Sequence, residues 1–265
     1  MIGQDALKEY LNKSNLDTFP RTLMLLGEDG CGKHLFCSMI AEKFNMSLIN
    51  ITDNLKMETL DSIMTSANVN LYVIDGYDIT IKEQNVILKF LEEPLKNVYI
   101  AILGYNKNQF LDTIANRCQV MTFKPYTNEE LTGFIDFECD IDKLLRIART
   151  PGRIKILKDY NMSEYYSLAD KIISKLSISN YANALTLYEK IPGVKDDKKI
   201  FQIFLNVLTY VARDKILAED SNVNYLWYES IIDLCKKAQV ANVDYKYLFD
   251  NFLSNMWRKV KVNDN

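Results

Sequence analysis

The chain has 265 residues, enough for two or three modest domains at roughly 100–150 residues each. Its composition, 48% hydrophobic and 25% charged, is that of an ordinary globular protein, and no stretch approaches the roughly 20 apolar residues that cross a bilayer. A net charge of −3 argues against a protein that coats nucleic acid by bulk basic charge, and a single histidine with five widely spaced cysteines argues against a His-based metal site, a zinc knuckle or a disulfide framework.

The opening MIGQDALKEY has neither the basic nor the apolar region of a signal peptide, so a cytoplasmic location is expected. Short apolar runs then alternate with amphipathic stretches. The runs are Thr22 to Leu26, Leu48 to Ile51, Leu71 to Ile74, Val98 to Leu103 and Gln119 to Phe123. Runs of this length, bounded by turn residues, predict buried parallel strands. Between them, Leu35, Phe36, Met39, Ile40 and Phe44 recur at helical spacing, as do Val86, Ile87, Phe90 and Leu91. The pattern predicts a three-layer βα domain over 1–124. Beyond it the strand signals stop. Thr127 is placed to cap a helix beginning at Asn128, and Leu144, Leu145, Ile147 and Ala148 mark another. A small helical domain is expected over 125–161. An all-α bundle over 162–265 would be filled by Phe201, Phe204, Tyr210, Tyr225, Trp227, Phe249, Phe252 and Trp257.

The segment Gly27-Glu28-Asp29-Gly30-Cys31-Gly32-Lys33-His34 follows the first strand and precedes a helix, the context of a phosphate-binding loop. Its glycines let backbone N–H groups turn toward phosphate oxygens, the helix adds its positive end, and Lys33 would bridge the β- and γ-phosphates. A tight strand–helix turn that binds nothing has the same outline. The position after the lysine should carry a Ser or Thr hydroxyl for Mg²⁺, and it holds His34. ADP or ATP is the cofactor such a loop would take, with magnesium in question. The third strand ends in Asp75, placed for a magnesium water shell, but the next residue, where hydrolysis needs an acid, is Gly76. Asp78 lies too far along to replace it.

Gln84-Asn85-Val86-Ile87-Leu88-Lys89-Phe90-Leu91-Glu92-Glu93-Pro94 closely resembles the N-A-L-L-K-x-L-E-E-P segment of the clamp-loader subunits among the AAA+ ATPases. Asn116-Arg117-Cys118-Gln119 resembles their Ser-Arg-Cys motif, Ile2-Gly3-Gln4 their N-terminal signature, and Phe204 to Asp214 the L-x-x-x-R-D helix of their collar. The resemblance implies an α/β AAA+ P-loop domain with a five-stranded parallel sheet, a helical lid and an all-α collar. It implies that Arg117 acts in trans on a neighbour's ATP site and that Arg153, in Thr150-Pro151-Gly152-Arg153, serves as the lid arginine. Gly27, Gly30, Cys31, Gly32, Lys33, His34 and Asp75 would form the nucleotide site. A γ-phosphate sensor is expected at Tyr105 or Asn106. The four-cysteine zinc module of many bacterial relatives has no counterpart between His34 and Asp75, so no zinc is expected. A damaged loop, a missing acid and a retained arginine match the delta-prime pattern of DNA polymerase III. Its expected partners are the other loader subunits, the sliding clamp and, through the complex, primer-template DNA. The alternative is a stand-alone AAA+ ATPase such as a helicase loader.

Overall fold

The computed structural model describes residues 3–52, 68–77, 79–92, 97–175, 187–194, 198–238 and 244–263. Of the motif residues quoted above, Ile2, Asp78, Glu93 and Pro94 lie outside the described residues. The chain gathers into two compact units, Met1–Ile135 with Arg149–Lys155, and Asp136–Ala148 with Ile156–Asn265. The finer three-part division at 124 and 161 remains a proposal.

The first unit carries a five-stranded parallel sheet of β1 (Thr22–Leu26), β2 (Ser47–Asn50), β3 (Asn70–Asp75), β4 (Val98–Gly104) and β5 (Gln119–Thr122), in the order β2-β3-β4-β1-β5. Alternation along each strand makes three layers. Leu23, Leu25, Leu71, Val73, Ala101 and Leu103 face one core with Phe36, Cys37 and Ile40 of helix Lys33–Lys43. Met24, Leu26, Tyr72, Ile74, Ile100 and Ile102 face a second core with Ile87, Phe90 and Leu91 of helix Ile81–Glu92. The second strand departs from the buried reading: Leu48 and Ile49 are exposed. Among the described residues it is the sheet's edge and pairs with β3 alone, so its apolar run reflects strand propensity more than burial.

Gln4 shows how the N-terminus is fixed. Its buried amide donates from Nε2 to the carbonyl of Lys124 at 2.8 Å and accepts from the Lys124 N–H at 3.0 Å. The side chain thus stands in for a neighbouring strand just past β5. Gln4→Ala is expected to cost about 1–3 kcal/mol, because both backbone groups of Lys124 lose their partner; urea unfolding with an unchanged m-value checks this.

In the second unit, helix Lys198–Ala218 packs against helices Ile141–Ile147, Met162–Lys175 and Asn222–Ala238, and the last of these packs against Tyr245–Asn263. Phe201, Phe204, Trp227, Phe249 and Phe252 are buried, and Phe249 is ringed by Tyr188, Phe201, Phe204 and Phe252. Tyr225, expected in this core, is exposed. Asp214, which closes the R-D pair of the expected collar helix, accepts from Arg146 Nη1 at 2.6 Å. No helix among the described residues is long and apolar enough to cross a membrane.

Candidate functional site

All the predicted nucleotide-site residues fall in the first unit; Gly27 to His34 and Asp75 follow or end β1 and β3 at their carboxyl ends, where ligands bind in open α/β sheets, and Arg153 is on the helix Pro151–Leu157. Beyond β1 the chain turns through Gly30 (φ 75°) and Gly32 (φ 105°), left-handed positions that glycine adopts without strain. Gly32 is the N-cap of helix Lys33–Lys43 and has no side chain to satisfy the first-turn N–H groups.

Every carbonyl from Gly27 to Gly32 is held from within the unit. Gly27 O and Glu28 O accept from Lys33 Nζ at 2.5 and 2.7 Å. Asp29 O accepts from Thr150 Oγ1 at 2.7 Å, Gly30 O from the Gly152 N–H at 2.9 Å, and Cys31 O from Tyr126 OH at 2.8 Å. Gly32 O begins the helix by accepting from Phe36 N–H. Among the loop's donors, the Gly27 N–H is also engaged, donating to Gly104 O at 3.0 Å, and the Cys31 N–H donates to Glu28 O at 3.3 Å. Gly152 is needed here for close approach: a Cβ on it would stand 2.5 Å from Gly30 Cα. Thr150 to Arg153 are therefore docked directly on the loop, with the partly buried Arg153 at their end.

Lys33 is 3% exposed. Besides the two carbonyls, its ammonium lies 3.6 Å from Cys31 Sγ and 5.3 Å from the Tyr77 ring centroid. Burial pulls its pKa below the ordinary lysine value and pushes the Cys31 thiol up. Tyr77 packs against Tyr105 at 4.7 Å between centroids, and burial raises the Tyr77 hydroxyl as well. Of the two candidate sensor positions, Tyr105 faces Lys33, with its ring centroid 6.0 Å from Nζ. Asn106 is spent elsewhere: its side chain caps the short helix Lys107–Gln109.

At the tip of β3, Asp75 is bracketed. His34 Nε2 stands 2.8 Å from the buried Oδ1, a close contact without the alignment of a hydrogen bond. Asn50 Nδ2 donates to Oδ2 at 3.3 Å, and Thr52 Oγ1 accepts from the Asp75 N–H at 2.7 Å. Magnesium needs hard oxygen ligands. Here the hydroxyl is replaced by an imidazole, and that imidazole covers the carboxylate oxygen. The residues present do not fit the ion.

The next position shows what the sequence pattern missed. A Cβ on Gly76 would lie 2.5 Å from Phe110 Cε1 and 2.7 Å from the Leu103 carbonyl oxygen; one on Gly104 would lie 2.5 Å from Phe110 Cε2. The Phe110 ring is slotted between the two glycines at the ends of β3 and β4. The signal was there, a glycine ending each of two adjacent strands, but only the partner ring explains it.

Arg117 is placed apart, just before β5. Its guanidinium is partly exposed, donating from Nη1 to Thr113 O at 2.9 Å and pairing through Nη2 with Glu92 Oε1 at 3.2 Å. Its carbonyl is fixed to Thr22 Oγ1 at 2.5 Å, on the first residue of β1.

The sheet order, the glycine loop at the tip of β1 and the acid at the tip of β3 define a P-loop module of the AAA+ class, followed by a helical C-terminal region. A DNA polymerase III gamma subunit-related protein of Thermotoga maritima shares this fold, with a TM-score of 0.57, 15% identity, and coverage of 96% of this chain and 98% of its own. The sequence comparisons are narrower. A family described as "DNA polymerase III, delta subunit" matches residues 42–127. The delta-prime subunit of Bacillus subtilis DNA polymerase III is 41% identical over 184 residues, 63% of this chain and 53% of the relative. Over the matched residues the chain is thus similar to delta-prime subunits of DNA polymerase III, and it spans about half the length of the curated relative it matches.

Proposed function

We propose that the chain is a clamp-loader subunit that completes a neighbour's ATP site with Arg117 while its own site does not hydrolyse. One observation carries this: the residue suited to act in trans is presented at the surface on a fixed backbone, whereas the position for a water-activating acid is Gly76 against Phe110. A planar, permanently charged guanidinium suits charge developing on a γ-phosphate. In this reading the partners are the other loader subunits, the sliding clamp, and primer-template DNA through the complex. ADP or ATP occupies the loop, with Arg153 reaching it from the docked Thr150–Arg153 segment.

Tagged chain, purified from cells, is expected to recover the other loader subunits and the clamp, identified by mass spectrometry. Recovery of neither, together with robust ATP turnover by the chain alone, would overturn the reading in favour of a stand-alone ATPase.

A further inference from the structure

A phosphate loop normally shares its ligand's charge with a magnesium ion. Here the two positions that would hold that ion are turned on each other. His34 follows the loop lysine, and its imidazole nitrogen lies 2.8 Å from Asp75 Oδ1, the oxygen a metal shell would use. Asn50 takes the other carboxylate oxygen. Among the described residues no group of three His, Cys, Asp or Glu side chains is placed to hold a metal. The anion-facing half of the site is, by contrast, intact. The loop carbonyls from Gly27 to Gly32 are all engaged, Gly32 leaves the helix N-terminus uncapped by any side chain, and a buried ammonium waits on two carbonyls that phosphate oxygens could replace.

We propose that this site takes the polyphosphate of ADP or ATP without magnesium, the His34–Asp75 contact filling the cation's place. Lys33 leaves the carbonyls of Gly27 and Glu28 for the phosphate oxygens, and the loop N–H groups other than those of Gly27 and Cys31, which donate to Gly104 O and Glu28 O, supply the remaining charge-assisted bonds. The Asp75 carboxylate is turned away from a metal shell, with the His34 imidazole against its inner oxygen and the Asn50 amide donating to its outer one. The site then acts as a structural nucleotide holder: without metal and without an acid at 76, bound ATP is kept rather than cleaved.

This rests on the nucleotide-binding half of the reading above, and its test does not involve Arg117. Calorimetric titration of the purified chain with ATP is run once in excess EDTA and once in excess MgCl₂. The two dissociation constants are expected to agree within about twofold, whereas a hydroxyl-bearing loop depends strongly on the ion. His34→Ser, at a position whose side chain is 56% exposed and so is tolerant of change, is expected to bind about tenfold more tightly with magnesium than with EDTA. A wild-type chain that binds ATP only with magnesium overturns the proposal, and so does one that gives no binding heat in either buffer. The Arg117 experiment reads the assembled loader and can succeed with this site empty, so the two ideas fail separately.

Discussion

In a loader reconstituted with Arg117→Ala, ATP turnover is expected to fall by about 10³- to 10⁵-fold, the range for losing a γ-phosphate-stabilising arginine in comparable phosphoryl transfers. The fold of the altered chain should be unaffected. The guanidinium is partly exposed, and its ion pair with Glu92 is of the solvated kind worth about 0–1 kcal/mol. That weakness suits the role. Thr22 holds the Arg117 backbone to β1, while Glu92 and Thr113 hold the side chain by bonds a neighbour's phosphate could replace. Arg117→Lys is not expected to rescue turnover, because an ammonium lacks the planar fork. Glu92→Ala should leave turnover within a few-fold of normal, since it removes only the resting latch. Thermal melting of the isolated variants separates the outcomes. Unchanged loader turnover with a well-folded Arg117→Ala chain would sink the idea of a trans-acting arginine.

The sheet was legible because its signals are local. Five apolar runs bounded by turn residues carried strand type and approximate position, and the loop between β1 and its helix was readable from glycine spacing alone. Burial was less legible: Leu48 and Ile49 look like Leu71 and Val73 in sequence, and only their place at the sheet edge exposes them. The candidate site divides in the same way. Lys33, His34 and Asp75 were found by motif, and the structure brings them within one loop of each other. The bonds that shape the site join residues 95 to 122 apart in the chain: Thr150 to Asp29, Gly152 to Gly30, Tyr126 to Cys31. No periodicity encodes such pairings. Gln4 is a similar case, since a motif near the N-terminus gave its presence but not its hold on Lys124.

Restoring an acid at position 76 should fail structurally before it can succeed chemically. Gly76 lies against both the Phe110 ring and the Leu103 carbonyl, and its own N–H donates to that carbonyl at 2.8 Å. A Cβ there cannot be accommodated by rotating a flexible side chain, because one of the two obstacles is strand backbone. Gly76→Glu adds overpacking, typically about 1–3 kcal/mol and sometimes more, to the cost of bringing a carboxylate beside an aromatic ring. An expected loss of about 3 kcal/mol or more follows, read by denaturant unfolding, with no gain in ATP turnover. Phe110→Ala should cost about 3–5 kcal/mol through the cavity it leaves between the two glycines. The decisive result is the combination. Gly76→Ala with Phe110→Leu should destabilise less than the sum of the two single changes, with a coupling of about 0.5–3 kcal/mol, because the smaller side chain at 110 vacates space that the new methyl at 76 meets and fills. Strict additivity would mean that the ring and the glycine do not share one slot. A Gly76→Glu chain as stable as the parent and newly able to hydrolyse ATP would mean that this slot is not what keeps the site silent. The loss of the acid is thus built into the packing of β3 against β4, and reverting it takes at least two positions.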